Sequence, residues 1–225
     1  LTREEGKTLT EARMEARRIA ANFRLYAGEA LRLNGESYAS EASQIVFSLR
    51  QPVGVVAVIT PWNFPLSMAA RKIAPALAAG NGVIFKPSEI TPLMGQRLVE
   101  VLLEAGLPPK LIALVQGRGA TVGQAITGHG GIDAITFTGS FAVGRQIAKA
   151  VSTDTRVQLE MGGKNATVVL GDADLDKAAA IIQRGAFGLT GQACTGTSRV
   201  LVARPLYDAL TERLAAAAAK FKVGP

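Results

Sequence analysis

The stretch Val53-Gly54-Val55-Val56-Ala57-Val58-Ile59-Thr60-Pro61-Trp62-Asn63-Phe64-Pro65 decides the fold. Its opening run of Val, Ala, Gly and Ile suits a short strand buried on both faces, and the two prolines behind it stop the strand and begin a turn. The same apolar pattern returns at Gly82 to Phe85, Leu111 to Val115 and Ile132 to Phe137. Between these runs, Met68 to Ala79, Leu93 to Ala105 and Thr121 to Thr127 read as helices. A further helix over Val143 to Val151 leads to a fifth short strand, Arg156 to Leu159. Strands apolar on both faces and joined by helices predict an α/β fold, an open and mostly parallel sheet with helices on both faces.

Upstream, Met14, Ile19, Phe23, Tyr26, Ala30 and Leu33 recur at helical spacing within Thr8 to Leu33, which predicts one amphipathic helix or two, ended by Asn34-Gly35. Ser37 to Gln51 reads as extended, a hairpin or an arm lying on a neighbour, and Pro52 closes it. Downstream, the α/β rhythm resumes with strand Ala166 to Leu170, helix Leu175 to Phe187, strand Ser198 to Ala203 and helix Leu206 to Phe221, and Val223-Gly224-Pro225 reads as a loop. The expected organisation is a helical segment over 1–35, an extended arm over 36–51, the sheet domain over 52–159 and the first part of a second α/β domain over 160–225.

With 225 residues and 48% hydrophobic content, the chain can bury one large core or one core and part of another. No apolar run approaches the roughly 20 residues that span a bilayer, and the charged Leu1 to Lys7 is unlike a signal peptide. One cysteine and one histidine exclude a disulfide framework and the usual metal clusters, so no metal is expected and a reducing cytoplasm is the natural location. The net charge of +7 invites a nucleic-acid reading, but the basic residues are scattered, with three Tyr and one Trp to interleave. They suit a solvated face or a lure for an anionic ligand, with neither nucleic acid nor membrane as partner. His129, in Gly128-His129-Gly130-Gly131, reads as a loop histidine.

In sheets of this kind ligands bind beyond the carboxyl ends of the strands. There the chain places Thr60-Pro61-Trp62-Asn63, then Lys86-Pro87-Ser88-Glu89, then Gly117-Arg118-Gly119-Ala120-Thr121-Val122-Gly123, then Thr138-Gly139-Ser140 opening a helix. The glycine series is a near miss to the Gly-x-Gly-x-x-Gly dinucleotide fingerprint. Thr138-Gly139-Ser140 is either an anion site, where helix amides and dipole favour phosphate, or a plain N-cap. Glu89 can accept ribose hydroxyls or, with Ser88, cap the next helix.

Two further stretches carry reactive chemistry. In Leu159-Glu160-Met161-Gly162-Gly163-Lys164-Asn165 an acid follows an apolar strand and precedes two glycines, which suits a side chain that swings as a general base, although a surface glutamate is the ordinary alternative. In Gly191-Gln192-Ala193-Cys194-Thr195 the only cysteine sits between Gly188, Gly191 and Gly196, where little bulk hides its sulfur. It is a small buried hydrophobe or a nucleophile.

In this order, Pro61-Trp62-Asn63-Phe64-Pro65, Lys86-Pro87-Ser88-Glu89, Phe137-Thr138-Gly139-Ser140, Leu159-Glu160-Met161-Gly162-Gly163 and Gly191-Gln192-Ala193-Cys194 resemble the NAD(P)-dependent aldehyde dehydrogenase superfamily along the whole chain. Within it the chain looks most like bacterial semialdehyde dehydrogenases of the succinate-semialdehyde or 2-oxoglutarate-semialdehyde kind. The resemblance implies a Rossmann-like domain binding NAD, with NADP possible. It also implies a thiolate at Cys194 attacking the aldehyde carbon, an oxyanion held by the Asn63 amide and the Cys194 backbone N–H, and Glu160 activating water against the thioester. Lys86 and Glu89 are then expected at the adenosine ribose, Ser140 and neighbouring amides at the pyrophosphate, and Val143 at the adenine. Ile59, Thr60, Pro61, Trp62, Ser88, Gly119, Gly123, Phe137, Thr138, Gly139, Gly144, Met161 and Gly162 are expected to line the same cofactor cleft.

The resemblance also implies a homodimer or homotetramer, and a chain about twice this length. Its later glutamate-phenylalanine motif, which holds the nicotinamide ribose, is not among these residues, so the chain reads as a fragment. Two other functions compete. An acylating dehydrogenase, which passes the acyl group to coenzyme A, has no need of a base at Glu160. A catalytically silent binding protein, or a basic RNA-binding surface, has no need of Cys194, Glu160 and Asn63 together.

Overall fold

A computed structural model describes residues 1–41 and 43–224. Ala42, in the expected arm, and Pro225, in the expected terminal loop, lie outside the described residues. The chain divides into two compact units: residues 1–5 with 9–160, and residues 6–8 with 161–225.

The first unit begins with a short helix α1 (Thr2–Glu5) and a single long helix α2 (Leu9–Ala30). The stretch read as extended is an exposed hairpin of two short antiparallel strands, β1 (Ser37–Tyr38) and β2 (Val46–Phe47). The sheet follows, with β3 (Val55–Ile59), β4 (Gly82–Lys86), β5 (Ile112–Leu114), β6 (Ala134–Gly139) and β7 (Arg156–Met161). Their spatial order is β5-β4-β3-β6-β7, and β5, β4, β3 and β6 run parallel. Taking β3 as the first of five, this is the doubly wound order 3-2-1-4-5, whose direction of winding reverses between β3 and β6.

Helix α3 (Pro65–Ala78) joins β3 to β4, α4 (Pro92–Glu104) joins β4 to β5, and α6 (Phe141–Ala150) joins β6 to β7. Alternation puts Val56, Val58, Val83 and Phe85 on one face, where Leu66, Ala69 and Ile73 of α3 and Leu98 and Val99 of α4 complete the core. Ala57, Ile59, Ile135 and Phe137, on the opposite face, are also buried. β7 is less covered, alternating between exposed and half-buried residues.

Several boundaries differ from expectation. The expected helix over Thr121 to Thr127 is a π-helical turn, Gly119–Gly123, followed by one turn of α-helix, α5 (Gln124–Thr127). Thr138 and Gly139 do not open a helix but finish β6, whose backbone stays in register with β3 up to Phe137. Glu160 lies within β7, not after it.

The N-terminal helices hold the sheet helices by their starts. Both α3 and α4 begin with proline at the first position, which has no N–H to satisfy. Glu15 of α2 accepts the next two amides of α3, from Leu66 (3.0 Å) and Ser67 (2.9 Å), on a single oxygen, Oε1. Glu4 of α1 serves α4 with both oxygens, Oε1 taking the Leu93 N–H (2.7 Å) and Oε2 the Met94 N–H (3.1 Å). Each acid satisfies orphan donors and sets a negative group against a helix's positive end.

In the second unit, β8 (Asn165–Val169) and β9 (Thr197–Val202) pair in parallel. Helix α7 (Leu175–Phe187) and helix α8 (Tyr207–Ala219) cover them. Val169, Ala179, Ile182 and Leu210 form their core. Asp174 caps α7, accepting the amides of Asp176 and Lys177.

Candidate functional site

The register places Ile59, Lys86 and Phe137 at one level, the carboxyl ends of three neighbouring strands. Thr60, Pro87 and Thr138 come next, at the point where the winding reverses and a dinucleotide crevice forms in sheets of this order. Thr60 is tied in by its N–H, which donates to the Lys86 carbonyl (3.2 Å). The hydroxyls of Thr60 and Thr138 are buried at these strand ends without a protein partner.

Beside them the structure gathers Lys86, Glu89, Gly119 and Gly123. Lys86 is buried, and its Nζ donates to the Pro87 carbonyl (3.0 Å). Burial holds its pKa below the usual lysine range, while the nearby Glu89 charge acts in the opposite direction. Gly123 lies over this side chain, since a Cβ there would sit 3.8 Å from the Lys86 Cε. Glu89 does not cap α4; its Oε2 accepts the Gly119 N–H (2.7 Å). Ser88 makes a local turn, its Oγ accepting the Ile90 N–H (3.2 Å). A lysine, a carboxylate and a glycine-lined backbone are thus brought together at one strand end, a donor set that fits an adenosine ribose.

At β6 the N-cap reading of Ser140 holds, for its Oγ accepts the Val143 N–H (3.3 Å). A cap of this kind leaves the helix dipole of α6 in place for an anion. Gly139 brings the backbone close to the Phe137 ring, which a Cβ would strike at 2.4 Å. Val143 is exposed on α6, and Gly144 is buried beside it.

Asn63 and Trp62 are half-buried in the turn between β3 and α3, whose far end Glu15 anchors. Gln158 and Glu160, two residues apart, share one face of β7. Gln158 Nε2 donates to Glu160 Oε1 (2.9 Å). Behind Gln158 stands the buried Lys72 of α3, whose Nζ donates to Gln158 Oε1 (3.2 Å) and Thr136 Oγ1 (2.8 Å). Thr136 and Gln158 are themselves hydrogen-bonded. A chain of polar contacts thus runs from a buried cation to the carboxylate.

Burial pushes the Lys72 pKa down to about 8, against the opposing pull of the Glu160 charge. Between about pH 8 and the ordinary lysine range the unfolded chain binds a proton that the native one does not, so Lys72 makes stability rise with pH across that window. Below about pH 8 both states are protonated and the cost of the buried cation is felt in full. Urea unfolding of the whole protein from pH 7 to 10 should show this gain relative to Lys72→Met; parallel curves for the two proteins would refute it.

In the second unit Cys194 is a free, exposed thiol. The segment before it is unusual: Leu189 and Thr190 both have left-handed backbone (φ 53° and 51°), followed by Gly191 (φ 74°). Asn165, at the start of β8, donates its side-chain amide to the carbonyls of Cys194 (2.9 Å) and Gly196 (3.2 Å). Met161 and Gly162 lie at the end of β7 and just beyond it. Asn63 and Glu160 belong to the first unit and Cys194 to the second.

Sequence reasoning missed Lys72, Gln158, Glu15 and Asn165. Lys72 had a signal, since it falls in one helical row with the buried Ala69 and Ala76. Among the described residues no cluster of three or more His, Cys, Asp or Glu could hold a metal, and no helix is long and apolar enough to cross a membrane. His129 is engaged locally, its Nδ1 accepting the Gly131 N–H (3.0 Å).

The profile of the aldehyde dehydrogenase family matches residues 1–225, and the chain belongs to that family. It is 46% identical to 2,5-dioxopentanoate dehydrogenase of Saccharolobus solfataricus, an alignment covering 100% of this chain and 48% of that protein. It is also 46% identical to alpha-ketoglutaric semialdehyde dehydrogenase of Bacillus subtilis, covering 95% of this chain and 44% of that one. The crystal structure of an NADP-dependent glyceraldehyde-3-phosphate dehydrogenase from Bacillus halodurans C-125, complexed with NADP, superposes with a TM-score of 0.95 at 41% identity, over 99% of this chain and 48% of that one. The chain thus spans about half the length of the relatives it matches.

Proposed function

We propose that this chain supplies the cofactor-binding and nucleophile-bearing parts of an NAD(P)-dependent enzyme that oxidises an anionic semialdehyde to the acid. The observation that carries this reading is family membership along the whole chain together with an exposed, free thiol at Cys194. Cys194 attacks the aldehyde carbon; the Asn63 amide and the Cys194 N–H hold the oxyanion of the thiohemiacetal. The bound nicotinamide accepts the hydride. Glu160 then takes a proton from the water that attacks the thioester, and the acid leaves.

Lys86 and Glu89 bind the adenosine ribose, and the start of α6 binds the pyrophosphate. Glu89 favours NAD by repelling a 2′-phosphate. Its bond to Gly119 offers it a position turned aside, in which NADP is accepted as well. The semialdehyde substrate is supported by the names of the two relatives and by the basic balance of the chain. The exposed Tyr38, Ile45, Val46 and Phe47 of the hairpin support a homodimer or homotetramer in which another copy covers them. A thiol nucleophile supports a reducing, cytoplasmic location.

The test is product analysis of the whole protein acting on 2,5-dioxopentanoate with NAD and NADP, with and without coenzyme A, alongside Glu160→Gln. Free acid should form without coenzyme A, and Glu160→Gln should give one burst of reduced cofactor followed by turnover slowed about 100-fold. Acyl-coenzyme A as sole product would decide for the acylating alternative.

A further inference from the structure

Asn165 closes the motif that begins at Leu159, and nothing in the mechanism above uses it. Its Nδ2 carries two hydrogens, and two carbonyls receive them: Cys194 O at 2.9 Å and Gly196 O at 3.2 Å. The Ala193 carbonyl accepts the Gly196 N–H (3.0 Å), which closes a four-residue turn with Cys194 and Thr195 at its centre. Asn165 therefore grips this turn from the neighbouring strand, at the one point where the β8–β9 register shifts.

The other side of the turn is seated on small residues. A Cβ on Gly196 would come 3.1 Å from the Ala193 carbonyl oxygen and 3.3 Å from that of Gly185. A Cβ on Gly185 would strike Thr197 Oγ1 at 2.7 Å, and that hydroxyl is shared with Thr167 Oγ1 (3.1 Å). Upstream, two non-glycine residues, Leu189 and Thr190, bring the chain in through left-handed backbone, which is strained for residues with a Cβ. Such a conformation persists only where surrounding contacts over-determine it.

We propose that Asn165 is a positioning residue for Cys194. By tying the carbonyls of Cys194 and Gly196 it fixes the peptide planes on the C-terminal side of the nucleophile. The peptide that carries the Cys194 N–H is held in turn by its own carbonyl, that of Ala193, which accepts the Gly196 N–H, so sulfur and N–H keep one orientation toward the aldehyde, as attack and oxyanion binding both require. The assignment rests on the reading of Cys194 as nucleophile. Asn165 is itself exposed, so its replacement should cost little stability.

The experiment compares Asn165→Ala, Asn165→Asp and Asn165→Ser in the whole protein. Aspartate has the shape of asparagine but, ionised, turns acceptors toward two carbonyl oxygens; serine keeps a single donor. Three quantities are read: the pre-steady-state burst of reduced cofactor, the pH profile of Cys194 alkylation by iodoacetamide, and cofactor affinity by fluorescence. The burst rate should fall about 10- to 100-fold in Asn165→Ala, at least as far in Asn165→Asp, and less in Asn165→Ser. The alkylation profile should shift while cofactor affinity stays within about twofold. Wild-type burst rates and alkylation profiles in the alanine and aspartate variants would overturn the assignment. If Asn165→Ala does not fold, Asn165→Ser decides: a reduced burst supports the role and a wild-type burst refutes it. A burst persisting in Cys194→Ala would instead remove the nucleophile reading, a result that no Asn165 variant can mimic.

Discussion

Cys194→Ala should abolish aldehyde oxidation, with kcat falling at least about 10⁴-fold, while the affinity for NAD or NADP stays unchanged. The size of the effect follows from the chemistry: with no sulfur, no thiohemiacetal forms, and hydride must leave from an aldehyde hydrate that the protein does nothing to generate. Cys194→Ser should fare little better, because a hydroxyl is far weaker as a nucleophile without a neighbouring base. The side chain is exposed and, among the described residues, is in no disulfide, so the fold should not depend on it. Unchanged cofactor binding separates lost chemistry from lost structure. If Cys194→Ala turns over a semialdehyde at the wild-type rate, the covalent mechanism is wrong.

The second large effect concerns stability. Glu15→Ala should lower the unfolding free energy of the whole protein by about 3 kcal/mol, read from urea unfolding, because the first free amides of α3 lose their shared acceptor inside the protein. Glu15→Gln retains an acceptor oxygen but removes the charge that faces the helix's positive end, and should cost about 1 kcal/mol. Equal, small losses in both variants would show that water reaches these amides and that the cap is dispensable. Because α3 begins directly after Asn63-Phe64, the alanine variant should also loosen the turn that carries Asn63.

The sheet was legible because β3, β4 and β6 are buried on both faces, which leaves long apolar runs no helix would place so regularly. The candidate nucleophile and base were legible through ordered motifs, not through any single residue. What escaped the sequence has a common cause. Glu15, Lys72 and Asn165 act on partners far along the chain, Leu66, Gln158 and Cys194 respectively, so no local pattern announces them. The end of β6 was misread for a local reason. Thr138, Gly139 and Ser140 have the composition of a helix start, but β6 runs on through the first two, past the end of its register with β3 at Phe137, and leaves only Ser140 as the cap.

The link between β7 and β8 bears on how the gene can vary in length. Connections between strands are usually where insertions and deletions accumulate. Here Glu160 lies in the last turn of pleat of β7 and Asn165 opens β8, so only Gly162, Gly163 and Lys164 intervene between the two strands. Side chains alternate along a strand, so a slip of one residue in β7 would turn Gln158 and Glu160 together away from Lys72, and one in β8 would turn Asn165 away from the cysteine turn. The two glycines give this short connection torsional freedom, so a change of length is better absorbed there than inside either strand, where it would reverse the alternation.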